Sequence, residues 1–134
     1  VKIKEEIIIE GPCVHDVGYR FHILHYARRH GIRRFFAFNT ESEGMQQVVI
    51  QIEDTEETVR AFLDFLAASQ PDGAQVSNIT HTPYDQEVWE IGEFRQDLIL
   101  DLLTRGLNAL QKMKDSSKDG EGSEYRVDPS LFRL

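Results

Sequence analysis

A chain of 134 residues, 40% of them hydrophobic, is long enough for one domain with a real apolar core and needs neither metal nor disulfide to hold it. Its formal net charge of −8 and pI near 5.1 disfavour nucleic acid and anionic membrane as partners. No apolar run approaches the roughly 18 residues of a membrane span, and the single cysteine, Cys13, excludes an internal disulfide and suits a reducing compartment, so the cytoplasm is the expected location.

Val1 to Glu10 reads as a strand whose end, Ile7, Ile8 and Ile9, is continuously apolar, and Val1 to Glu6 carries no signal-peptide core. Phe21 to His30 has helical spacing through Ile23, Leu24 and Ala27. Between them the loop Val14, His15, Asp16, Val17, Gly18, Tyr19 and Arg20 sits at a helix N-terminus. Free amides and the positive end of the helix dipole favour an anion there, and an arginine adds a planar charge suited to phosphate.

Arg33 to Thr40 is an aromatic-rich strand, Glu41 to Gly44 a polar turn, and Met45 to Ile52 a second strand, so the three form a hairpin. Asp54 or Thr55 can cap a helix that opens with Glu56 and Glu57 and carries Val59, Phe62, Leu63, Phe65 and Leu66 on its core face, until Pro71, Asp72 and Gly73 end it. Ala74 to Thr82 alternates as a further strand, and Glu87 to Ile91 is a candidate short edge strand. The order strand, helix, strand, strand, helix, strand defines an α+β, ferredoxin-like βαββαβ fold: an antiparallel sheet with two helices on one face.

Residues 1–92 form the expected core domain. Residues 93–115 follow as an amphipathic helix whose broad apolar face, Phe94, Leu98, Ile99, Leu102, Leu103, Leu107, Leu110 and Met113, packs either on the sheet or on a second chain as a homo-oligomer. The Ser, Lys, Asp and Gly-rich residues 116–134 read as a flexible tail.

Two segments carry a family resemblance. Val14 to Arg20 resembles the acylphosphatase loop V-Q-G-V-G-F-R, identical at Val14, Val17, Gly18 and Arg20, with Tyr19 in place of phenylalanine. Gly31, Ile32, the strand Phe35 to Phe38, Asn39 and Thr40 are similar to the family's G-L-x-G-W-V-x-N. The resemblance spans Ile3 to Thr82 and implies hydrolysis of acyl phosphates to carboxylate and orthophosphate, without metal or other cofactor. By motif position it implies that Arg20 and the loop hold the phosphoryl group and that Asn39 orients water. The expected partners are a small acyl phosphate and inorganic phosphate.

Four departures accompany it. Asp16 stands where the family has glycine, and a carboxylate beside a phosphate costs about 1 to 4 kcal/mol of Coulomb energy at contact distance. His15 replaces glutamine, and Gly11 to Val14 and Gly31 to Asn39 are each longer by one residue. A module whose site is disabled by Asp16 and whose long helix mediates assembly is therefore the alternative expectation.

Other candidates carry less. His15, His22 and His25 read as ordinary loop and helix histidines, because zinc needs three or four ligands and no acidic or cysteine partner has the spacing. Arg34 to Phe38 faintly resembles an RNA-recognition segment, but it lies on the second strand where that module uses its third. Alternating Phe residues on a strand are core and edge packing.

Overall fold

The computed structural model describes residues 1–119. The elements run β1 (Lys2–Gly11), α1 (Tyr19–Arg29), β2 (Arg34–Ser42), β3 (Met45–Thr55), α2 (Glu56–Ala68), β4 (Asn78–Pro83) and α3 (Ile91–Asp119). The expected flexible tail of residues 116–134 lies outside the described residues, apart from the backbone through Asp119, which continues α3.

All pairings are antiparallel, in the order β2-β3-β1-β4, with α1 and α2 on one face: the expected ferredoxin-like α+β fold with one added C-terminal helix. Register shows why. Ala37, Ile50 and Ile7 lie side by side across three strands, Phe35 and Ile52 pair across two, and every one of them is fully buried beneath the helices. Burying each of these isoleucine and phenylalanine side chains contributes about 1.5 to 3 kcal/mol. The neighbouring row is Asn39, Val48 and Ile9. Asn39 thus occupies a polar position at the end of an apolar stripe, on the helix-covered face.

Local chemistry sets the boundaries. Glu43 and Gly44 both take positive φ, 51° and 81°, as the two-residue turn between twisted strands requires. The Thr55 side chain accepts from the Thr58 amide and caps α2, with Glu56 and Glu57 favourably placed in its first turn. At the end of α1, Ile32 donates to Ala27 and Gly31 to Arg28, which closes the last turn and drops Ile32 into the core. Tyr26 on α1 stacks on Phe65 of α2 at 4.3 Å, joining the two helices.

Three expected elements differ. The fourth strand starts at Asn78 rather than Ala74, because Ala74 is turned back by a hydrogen bond to Pro71 and Gln75 meets only Cys13 in an isolated bridge. The edge strand expected over Glu87 to Ile91 is reduced to a bridge at the β2 edge, where Phe35 donates to Trp89 and Ile91 to Arg33. The first helix begins at Tyr19, so Tyr19 and Arg20 belong to its first turn rather than to the loop before it.

The C-terminal helix closes over the β2 edge. Phe94, fully buried, touches Phe35 on the helix side and Phe36 on the open side, at 5.7 and 5.9 Å between ring centres. Leu98 joins the same core, after which α3 runs beside α1. Its outer side keeps Ile99, Leu100, Leu103, Leu107 and Leu110 exposed.

Candidate functional site

The loop after β1 is shaped from three directions. The amides of Val14 and His15 both donate to Gln46 Oε1 at 2.9 Å, and Gln46 lies opposite Gly11 at the start of β3. The His15 ring reaches the Gln47 carbonyl at 2.8 Å, which ties the loop to the same strand. Gly18 then forms the N-cap of α1 at φ 81°, a left-handed conformation that costs a residue with a Cβ far more.

No side chain caps this helix. Among the described residues, no hydrogen bond occupies the amides of Asp16, Val17 or Gly18. The first amides of α1 have no intrahelical acceptor either. The donors available to an anion therefore begin at Asp16, whereas the expectation drew on the whole loop from Val14.

Asp16 is the loop residue that departs from the family pattern. It adopts φ 58°, the left-handed geometry that a glycine at that position would supply. Its carboxylate is paired with Arg105 Nη1 at 2.6 Å and is therefore partly neutralised.

Arg20 is the buried charged residue of the site, 8% exposed. Its Nη2 meets Asp101 Oδ2 at 2.6 Å, while its Nε is buried without an acceptor among the described residues. Arg105 Nε lies 3.3 Å from the same Asp101 oxygen. The chain Asp16, Arg105, Asp101 and Arg20 therefore runs from the loop onto α3 and back to the first turn of α1. Arg20 and Asp16, both read from the loop motif, are brought into one network; the two residues that connect them come from α3.

Asn39 projects from β2 on the helix-covered face, and its Oδ1 is buried without a partner. Val14 and Tyr19 are core residues at 1% exposure, so their side chains build the loop rather than meet a ligand. Tyr19 Oη is also buried without a partner, and burial pushes its phenol pKa above the ordinary value.

Gln46, Asp101 and Arg105 were not foreseen. Gln46 becomes readable once the hairpin register places it opposite Gly11, and Asp101 and Arg105 form an i, i+4 pair on the side of α3 away from its exposed leucines. Among the histidines, His22 stacks on Phe65 and its ring lies 3.3 Å from the Ser69 carbonyl oxygen. Among the described residues no group of three or more His, Cys, Asp or Glu could hold a metal. A separate cavity of about 570 Å³ opens between α1 and α3, lined by Phe21, Leu24, Arg95 and Leu98 among others, with no residue of the 14–20 loop.

Fold and loop together define a ferredoxin-like α+β domain whose first strand-to-helix junction presents uncapped amides beside a buried guanidinium. The acylphosphatase family model matches residues 5–95, and the chain belongs to the acylphosphatase family.

Among solved structures, full-length HypF in a phosphate- and nucleotide-bound form is similar, with a TM-score of 0.56 and 20% identity. That match covers 64% of this chain and only 11% of the HypF chain. Acylphosphatase from Bacillus subtilis is similar at TM-score 0.46 and 19% identity, over 63% of this chain and 87% of that one. No curated protein matches the sequence significantly. No described helix is long and apolar enough to cross a membrane.

Proposed function

We propose that the chain hydrolyses acyl phosphates, releasing a carboxylate and orthophosphate. In this reading the amides from Asp16 onward and the Arg20 guanidinium hold the phosphoryl oxygens, and Asn39 positions water for in-line attack. An acyl phosphate brings a good leaving group, so positioning and charge stabilisation supply most of the rate and no strong base is needed. The observation that carries this reading is Arg20: a buried guanidinium with an unsatisfied Nε, in the first turn of an uncapped helix, at the position of the family loop's arginine. The buried, unpartnered Oδ1 of Asn39 adds a second polar atom that lacks a partner. Free Cys13 suits a reducing compartment such as the cytoplasm.

Benzoyl phosphate hydrolysis tests it, with wild type compared to Arg20→Ala and Asn39→Ala. Loss of one removes charge stabilisation and of the other water placement, and each is expected to lower kcat at least about 100-fold. Equal rates in all three would rule the activity out.

A second reading, a binding or assembly module with an impaired site, draws on α3. Leu100, Leu103, Leu107 and Leu110 are all exposed at alternating spacings of three and four, the seam of a two-helix coil. Sedimentation of the full chain against Leu103→Glu/Leu107→Glu tests this. A dimer dissociated by the double substitution supports it, and a wild-type monomer rejects it.

A further inference from the structure

The α3 network does more than cover the loop. A guanidinium presents Nε and Nη2 along one edge, the edge that grips two oxygens of a carboxylate or phosphate at once. Asp101 places a single oxygen on that edge, at Nη2, and leaves Nε buried and bare. A carboxylate serving only to brace Arg20 would be expected to use both donors.

We propose that Asp101 is an internal lock: a carboxylate carried by the added helix occupies the phosphoryl-binding edge of Arg20 and must be displaced before a tetrahedral oxyanion binds. This rests on the proposed phosphoryl site and adds its regulation. Two observations support it beyond the contact itself. Arg105 bridges Asp101 and Asp16, fastening α3 to the loop that carries the proposed phosphoryl site. Asp101 and Asp16 also stand as counter-charges to Arg20 and Arg105, so an arriving phosphate competes with carboxylates already in place.

Displacement is favoured by valence. Phosphate offers two oxygens to the Nε and Nη2 edge where Asp101 offers one, and it satisfies the orphaned Nε as well as the open amides at Asp16 to Gly18. Displacement need not move α3 as a whole: Phe94 and Leu98 fix its start in the core, and Leu102 and the buried Ala109 continue that packing beyond Asp101, whereas the Asp101 side chain is itself 34% exposed and can swing away.

The test is titration of the full chain with inorganic phosphate, followed by the amide shifts of Asp16 to Arg20. Wild type is compared with Asp101→Asn and with Asp97→Asn, an exposed acid on the same helix that makes no ion pair among the described residues. Asp101→Asn is expected to bind phosphate at least tenfold more tightly than wild type, and Asp97→Asn to match wild type. Should the asparagine variant fold poorly, Asp101→Ser removes the same charge and carries the same expectation. Equal affinity in wild type and Asp101→Asn overturns the lock while leaving the phosphate site standing. Weaker binding by Asp101→Asn also overturns it and makes Asp101 a brace for Arg20. No phosphate shift in any variant rejects the lock and the phosphoryl site together.

Discussion

Asp101 Oδ2 lies 2.6 Å from Arg20 Nη2 across 81 positions of sequence, and the two residues differ sharply in exposure: the arginine side chain is 9% exposed and the carboxylate 34%. The burden of separating them is therefore unequal, since removing the acid strands a buried cation. Breaking a fully buried pair costs about 3 to 5 kcal/mol. With one partner a third exposed, and Nη1 of Arg105 still on Asp16, Asp101→Ala is expected to cost about 1 to 3 kcal/mol in chemical denaturation. If phosphate fills the vacated edge, adding it should raise the Tm of this variant more than that of wild type. A variant as stable as wild type would show that Arg20 finds another acceptor.

Tyr19 is a second point where the core is incompletely satisfied. Its ring is buried at 1% exposure, yet its hydroxyl has no partner. A buried hydroxyl left unpaired costs about 1 to 3 kcal/mol, so Tyr19→Phe, which keeps the ring, is expected to stabilise the fold by about 1 kcal/mol. The pH dependence follows from burial, which raises the phenol pKa above 10.0 in the folded chain. As pH climbs past that value the unfolded chain releases the proton first and is favoured, so stability is fully present below it and falls above it. Wild type should therefore lose stability more steeply than Tyr19→Phe in alkaline denaturation, and parallel curves would sink this account.

Much of the fold was legible because its signals are local. Periodicity, the Thr55 cap with two acids behind it, and the Pro71 to Gly73 break each report on a few adjacent residues. The loop was legible for the same reason: Val14, Val17, Gly18 and Arg20 are close in sequence. What escaped was long-range. Nothing near Asp101 marks it as a partner for a residue 81 positions away, and the i, i+4 pair with Arg105 looks like ordinary helix-surface charge until the helix is placed beside α1. The fourth strand was read too long because Val76 and Ile79 alternate convincingly, while the hydrogen bond from Ala74 to Pro71 that turns the chain there leaves no signature beyond a neighbouring glycine.

Gly11 ends β1 where the chain after α2 crosses it. A Cβ at this position would lie 2.0 Å from the Gln75 carbonyl oxygen and 2.9 Å from Val76 Cα, and both are backbone atoms that cannot rotate away. Gly11→Ala must therefore push the two segments apart, breaking the Cys13 and Gln75 bridge that follows. Overpacking costs about 1 to 3 kcal/mol where side chains can adjust, so a backbone clash is expected at or above that upper figure. Chemical denaturation of the variant reads it directly, and a loss below about 1 kcal/mol would mean that the segment 74–77 moves freely.

Gln46 provides the last test, because one side-chain oxygen holds two successive loop amides. Gln46→Ala leaves Val14 and His15 without their 2.9 Å acceptor, at a cost of about 1 kcal/mol per hydrogen bond. The effect should concentrate in the loop. The Ile7, Ile50 and Ala37 row lies more than one row away in register and does not involve Gln46. Hydrogen exchange at the Val14 and His15 amides is thus expected to accelerate about tenfold or more, since local opening no longer breaks these bonds. Exchange at Ile7 and Ile50 should follow only the change in global stability. Because Gln46 sets where the loop leaves β1, the same substitution should also weaken phosphate binding by the Asp16 to Arg20 amides; unchanged affinity alongside faster exchange would separate the loop's anchor from its anion-facing half.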